Sequence, residues 1–100
     1  MSHRIYGNRV QKILQTNIDH HGSQMEVDVA IEEMSELTKE LIKNRRGRQN
    51  IRQIAEEIAH VEIMLQQLKM VFDCDDLVAE QWCLTMERIA DDLVNSGALN

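Results

Sequence analysis

The feature that most constrains this chain is a run of apolar residues at alternating steps of three and four: Ile51, Ile54, Ile58, Val61, Leu65, Leu68 and Phe72. On a helix these positions form one stripe, an unbroken a/d heptad, and so regular a stripe packs against another long helix at a shallow angle. On a strand, residues an odd number apart would point to opposite faces. The spacing therefore predicts a helix over about 51–72 and a fold built from helix-on-helix contacts.

Composition points the same way. Hydrophobic residues make up 43% of the 100-residue chain, yet it has one Phe, one Tyr and one Trp, so the core is Leu, Ile, Val and Met. There is no Pro, and Gly7, Gly22, Gly47 and Gly97 fall where the periodic patterns break. Residues 8–20 carry Val10, Ile13, Leu14 and Ile18 on one face of a short helix. Ser23, with Glu26 three residues on, reads as the N-cap and capping box of a second helix over about 24–44. Its buried stripe is Val27, Ala30, Ile31, Met34, Leu37 and Leu41. Gly47 is the expected left-handed residue closing that helix, and Asn50 the expected N-cap of the third. Beyond Asp73-Cys74-Asp75-Asp76, a less regular pattern from Leu77 to Val94 makes a fourth. The expectation is one all-α domain over 1–100, a bundle of three long helices and a short leading one. A lone chain this small buries only a modest core, so the bundle is expected to be completed as a homodimer or homotetramer.

The formal charge of −6 argues against nucleic acid or an anionic membrane as partner, since both want a basic surface. Cys74 and Cys83 form no CxxC and read as two reduced thiols of a cytoplasmic protein. No apolar run reaches the length of a membrane span, and Met1-Ser2-His3-Arg4 opens no signal-peptide core.

The chemistry concentrates in residues 30–68. Reduced to ligand types, this stretch reads Glu33-x-x-Glu36 on the second helix and Glu57-x-x-His60 on the third. Three residues cover most of a helical turn, so each pair shares a side. Glu26, Glu33 and Glu40 also form a heptad-spaced acidic stripe beside the apolar one. Like charges 4 Å apart repel by about 4 kcal/mol at an effective dielectric near 20, and a bound cation is one remedy. A lone E-x-x-E is usually solvated surface, and a lone histidine beside a seam usually a surface or capping residue; recurrence on two adjacent helices is what favours a metal. Oxygen-rich ligation suits Mg²⁺ or Mn²⁺, and Mg²⁺ takes further ligands from substrate phosphates. Lys39, Lys43, Arg45, Arg46 and Arg48, between the two acidic clusters, either complement the helix dipole or bind those phosphates.

The segments Ala30–Leu41, Arg46-Gly47 and Ile54–Leu68 together resemble the MazG-like all-α nucleoside triphosphate pyrophosphohydrolases, most closely their small phage and prophage members. That signature is E-x-x-E, a spacer, then E-x-x-D, and Glu33, Glu36 and Glu57 match its first three ligand positions. The resemblance implies a helical homo-oligomer that uses Mg²⁺ to cleave an NTP or dNTP into the nucleoside monophosphate and pyrophosphate. Glu33, Glu36 and Glu57 would be catalytic, with Lys39, Lys43, Arg46 and Arg88 on the phosphates. The fourth ligand position, Asp in the family, is His60 here. Imidazole binds as a neutral nitrogen donor and favours Mn²⁺, Fe²⁺ or Zn²⁺ over Mg²⁺. Two alternatives stand beside hydrolysis: a family member that binds nucleotide without cleaving it, and a carboxylate–histidine redox centre, for which Glu-x-x-His is the signature element. Trp82 and Tyr6 are the candidates to stack on a base, with core for Trp82 and surface for Tyr6 as the plainer readings.

Overall fold

The computed structural model describes residues 7–100. Tyr6 and the N-terminal tetrapeptide read above lie outside the described residues. Four helices follow in order: α1 (Asn8–His21), α2 (Ser23–Arg45), α3 (Ile51–Val71) and α4 (Asp75–Asn95). The described residues contain no strand, and none of their helices is long and apolar enough to cross a membrane.

α2 and α3 form an antiparallel hairpin, closed where the chain can turn sharply. Gly47 adopts φ +98°, and the next residue, Arg48, donates its N–H to Lys43 O at 3.1 Å. This is the left-handed ending that glycine permits without a Cβ clash. Asn50 holds the N-cap position of α3 as expected, but its side chain makes no cap hydrogen bond. Its buried Nδ2 donates to Glu40 O at 2.9 Å and to Glu40 Oε1 at 3.1 Å, so it stitches the start of α3 to the end of α2. The Asn50 bond, then the Lys43 ammonium, holds the Glu40 carboxyl below its ordinary value.

The expected capping box at Ser23 is also replaced. Gly22, φ +92°, takes the cap position with no side-chain bond, and Ser23 is already helical. Glu26 is thereby free to point into the hairpin, where it is buried and accepts a hydrogen bond from Gln67 Nε2. Gln67 in turn accepts from Asn17 Nδ2 at 2.7 Å, and His21 Nδ1 lies 3.3 Å from Glu26 Oε1. One network thus ties α1, α2 and α3 together.

Three contacts now form a ladder across the hairpin: Glu26 with Gln67, Glu33 with His60, and Glu40 with Asn50. The α2 members rise by seven while the first two partners fall by seven, which is the antiparallel register. At its two outer rungs the acidic stripe is therefore relieved by amides. Among the described residues, buried apolar side chains are only Ile18, Ala30 and Met64, matched by buried Glu26, Asn50 and Gln67. Polar pairing consequently carries much of the register. Gln67→Leu, which leaves the Glu26 carboxylate buried without its donor, is expected to cost about 2–3 kcal/mol. Urea unfolding of the variant checks this, and adding Glu26→Gln should recover part of the loss.

The heptad of α3 is seated differently from its simplest reading. Ile54, Val61 and Leu68 are half-buried, as a seam requires. Ile51, Ile58, Leu65 and Phe72 turn outward instead, between 42% and 71% exposed. Glu57, Met64 and Val71, each one position earlier, take the remaining inward places. On α2 the same division holds: Ala30 is buried and Val27 and Leu37 half-buried, while Ile31, Met34 and Leu41 are exposed. α1 packs against both helices of the hairpin, whereas α4 touches only α3. Trp82 is 63% exposed, so the core place expected for it is not taken within one chain. The radius of gyration, 17.1 Å, is well above the roughly 13 Å of a closed 100-residue globule.

Candidate metal centre

The middle rung of the ladder differs chemically from its neighbours. Glu33 on α2 and Glu57 on α3 both incline into the seam, because position 57 is one of the inward places that the rotated heptad opens. His60, one turn further along α3, stands beside them. His60 Nδ1 lies 3.2 Å from Glu33 Oε2 and 3.7 Å from Glu57 Oε2. One ligand atom from each of the three residues fits within a mutual separation of 4.8 Å. No amide intervenes, so two carboxylates face each other with a single imidazole between them.

Glu57 bears the electrostatic consequence. Its Oε2 is buried and has no hydrogen-bond partner. Burial comes first, and the adjacent Glu33 carboxylate second, in pushing the Glu57 carboxyl above its ordinary value. His60 acts in the opposite direction by favouring the charged form. An orphaned carboxylate oxygen, a second carboxylate and a nitrogen donor at this spacing could together hold a divalent cation. Two hard oxygens and one imidazole nitrogen suit Mn²⁺ or Fe²⁺ better than Mg²⁺.

The other sequence-predicted residues are distributed around this group without joining it. Glu36 is directed to Lys39, 3.2 Å away on its own helix, although its charge still adds to the upward shift of Glu57. Lys43 is similarly engaged with Glu40 at 3.0 Å. Arg46 is exposed in the α2–α3 turn, and Arg88 is exposed on α4, which makes no contact with α2. One chain therefore assembles Glu33, Glu57 and His60, keeps Glu36 at the margin, and leaves the four cations of the phosphate set apart from the cluster.

Sequence reasoning missed Gln67 and Asn50, the residues that close the rungs on either side. The signal was present for Gln67: positions 26 and 33 step by seven against 67 and 60, whereas the same antiparallel register would set Glu40 opposite Gln53 and so does not point to Asn50. Cys74 and Cys83 are free thiols. Comparisons with protein-family models, characterised proteins and solved structures return no match, so the chemistry of this centre is argued from its own geometry.

Proposed function

We propose that the chain is a divalent-metal-dependent nucleoside triphosphate pyrophosphohydrolase of the MazG-like kind, converting an NTP or dNTP to the monophosphate and pyrophosphate. The observation that carries the reading is the orphaned Glu57 Oε2 facing Glu33 across the hairpin, with His60 beside both. Glu33, Glu57 and His60 would hold the cation. When bound, it supplies charge neutralisation for the phosphates and lowers the pKa of an attacking water. Glu36 lies one turn from Glu33 and can exchange Lys39 for a water proton or a second cation. Lys39 pairs with Glu36 on exposed helix surface, where such a bond contributes little, so its ammonium can turn to a phosphate, whereas Lys43 would have to leave the half-buried Glu40 to do so. Arg46 and Arg88 make no ion pair among the described residues and would meet the outer phosphates.

Incubating the protein with a panel of NTPs and dNTPs, with Mg²⁺ or Mn²⁺, tests this directly by quantifying monophosphate and pyrophosphate. The expected result is turnover, greater with Mn²⁺ than with Mg²⁺ because His60 supplies nitrogen where the family has a carboxylate. Absence of turnover with either ion, together with turnover in His60→Asp, would identify a non-hydrolysing nucleotide binder. The nitrogen donor inside the cluster also favours a second reading, a carboxylate–histidine redox centre. Iron that co-purifies with the wild type and is lost in Glu57→Ala would select it.

A further inference from the structure

His60 has two nitrogens, and the ladder uses one of them. Nδ1 lies 3.2 Å from Glu33 Oε2 and 3.7 Å from Glu57 Oε2, and the polar contacts of the ring are all made through that atom. Nε2 sits across the five-membered ring, on the flank turned away from both carboxylates. It has no hydrogen-bond partner among the described residues. That flank is open to solvent: the His60 side chain is 52% exposed, against 26% for Glu33 and 19% for Glu57.

The chemistry of imidazole fixes what Nε2 carries. A neutral ring has one N–H and one lone pair, on different nitrogens. Where Nδ1 turns its lone pair to a cation, the N–H is therefore on Nε2. Histidines that hold metals almost always pass this second N–H to a carboxylate, a backbone carbonyl or a water. Here the described residues supply no such acceptor, so the N–H is left for something that arrives from solvent. The surroundings select what that is. The chain has a charge of −6, and Glu36 stands at the margin of a centre already built on Glu33 and Glu57, so an incoming polyanion finds few donors. Lys39 is engaged by Glu36 and Lys43 by Glu40, while Arg46 and Arg88 stand apart from the cluster. Of the three residues in the group, only His60 carries an N–H on its side chain.

We infer that His60 has two roles: Nδ1 belongs to the cation, and Nε2–H donates to a non-bridging phosphate oxygen of the triphosphate. The inference rests on the pyrophosphohydrolase reading and adds to it a residue that distinguishes phosphate chains by length. A whole imidazole separates the two nitrogens, so the oxygen at Nε2 is not one that the cation also holds. It belongs to a phosphate further along the chain. A triphosphate fills both positions at once, whereas a single phosphate fills one. An ionised aspartate at position 60 could take the first role but is acceptor-only, so it could not take the second. The histidine thus removes a negative charge from the centre and presents a donor to the substrate.

His60→Asn separates the two roles, because the amide oxygen can stand in for Nδ1 while nothing replaces the outer N–H. Calorimetry with inorganic tripolyphosphate, which has the chain without a base, and with orthophosphate is run at Mn²⁺ concentrations that saturate each protein. The wild type is expected to bind tripolyphosphate at least about tenfold more tightly than His60→Asn, the effect of one hydrogen bond to a charged group. Orthophosphate should bind the two alike. Nitrogen-15 spectra of the Zn²⁺-loaded wild type, which need neither a variant nor turnover, should show His60 metallated at Nδ1 and protonated at Nε2. In the turnover assay His60→Asp should raise KM for the triphosphate even where its Mg²⁺-supported kcat rises. Equal tripolyphosphate affinity in wild type and His60→Asn, a parallel loss for orthophosphate, zinc on Nε2, or an unchanged KM in His60→Asp would overturn the inference. The binding pattern without turnover would count against the hydrolase reading alone. Turnover with that pattern absent would count against the second role of His60 alone.

Discussion

Glu57→Gln is expected to lower kcat/KM for triphosphate hydrolysis, and the affinity for Mn²⁺, by about a hundredfold or more. Residues that merely orient metal ligands already cost about 10- to 100-fold when removed, and Glu57 would be the ligand whose Oε2 has no hydrogen-bond partner. The same substitution should stabilise the protein in the absence of added metal. Its carboxyl is raised by burial and by Glu33, so the charged form is what the fold resists. A group with a raised folded-state pKa contributes stability below its unfolded value, near 4.5, and that contribution is lost as pH rises through the folded value. At neutral pH the variant should therefore melt above the wild type, and the difference should close below pH 4.5. Manganese binding should likewise weaken as acid protonates Glu57, beginning at a higher pH than for an ordinary carboxylate. Calorimetric titration with Mn²⁺ and thermal melts across pH check both signs. A variant that melts below the wild type at neutral pH, and still binds Mn²⁺, would falsify the electrostatic account of the cluster.

His60→Asp should move the centre in the other direction. It places a third carboxylate in a group whose ligand atoms already lie within 4.8 Å. Like charges at such distances repel by about 4 kcal/mol at an effective dielectric near 20, so without metal the variant should melt below the wild type. Saturating Mg²⁺ should remove that deficit and raise Mg²⁺-supported turnover by about tenfold, corresponding to about 1.4 kcal/mol. The preference for Mn²⁺ should shrink in parallel. Melting curves with and without Mg²⁺, beside pyrophosphate release with each ion, separate these effects. Unchanged metal preference would mean that the imidazole is not in the donor set.

The helices were legible because their period is strong: the pattern at Ile51–Phe72 locates α3 within a residue of its observed end. Which neighbour each apolar residue meets was not legible. A 3-4 spacing defines a stripe, but Ile54, Val61 and Leu68 meet α2 while Ile51, Ile58, Leu65 and Phe72 do not, and no periodicity distinguishes one partner from two. The shift mattered for the site, because it is what turns Glu57 inward. Ser23 was misread as a cap, and Asn50, which does hold the N-cap position of α3, bonds elsewhere with its side chain, for a related reason. Cap preferences describe isolated helix ends, and here glycine conformations and a cross-hairpin tether satisfy those ends instead. The donor group of Glu33, Glu57 and His60 was visible from spacing, whereas the separation of Lys39 and Lys43 from it depends on ion pairs with Glu36 and Glu40 formed within α2.

The ladder bears on which ion the centre would accept. Rungs at heptad spacing lie about 10.5 Å apart along the hairpin, and the outer two are closed by direct hydrogen bonds of fixed length. They behave as spacers bolted on either side of an aperture. The contacts of Gln67 and Asn50 thus bracket the gap between α2 and α3 at Glu33 and Glu57, and neither residue would touch the ion. In a metal-bound centre, size discrimination among cations would be a property of the frame, leaving the donors to decide charge and softness. Shortening a spacer, as Gln67→Asn with Glu26 retained, would retune the radius that fits best while every ligand stayed in place.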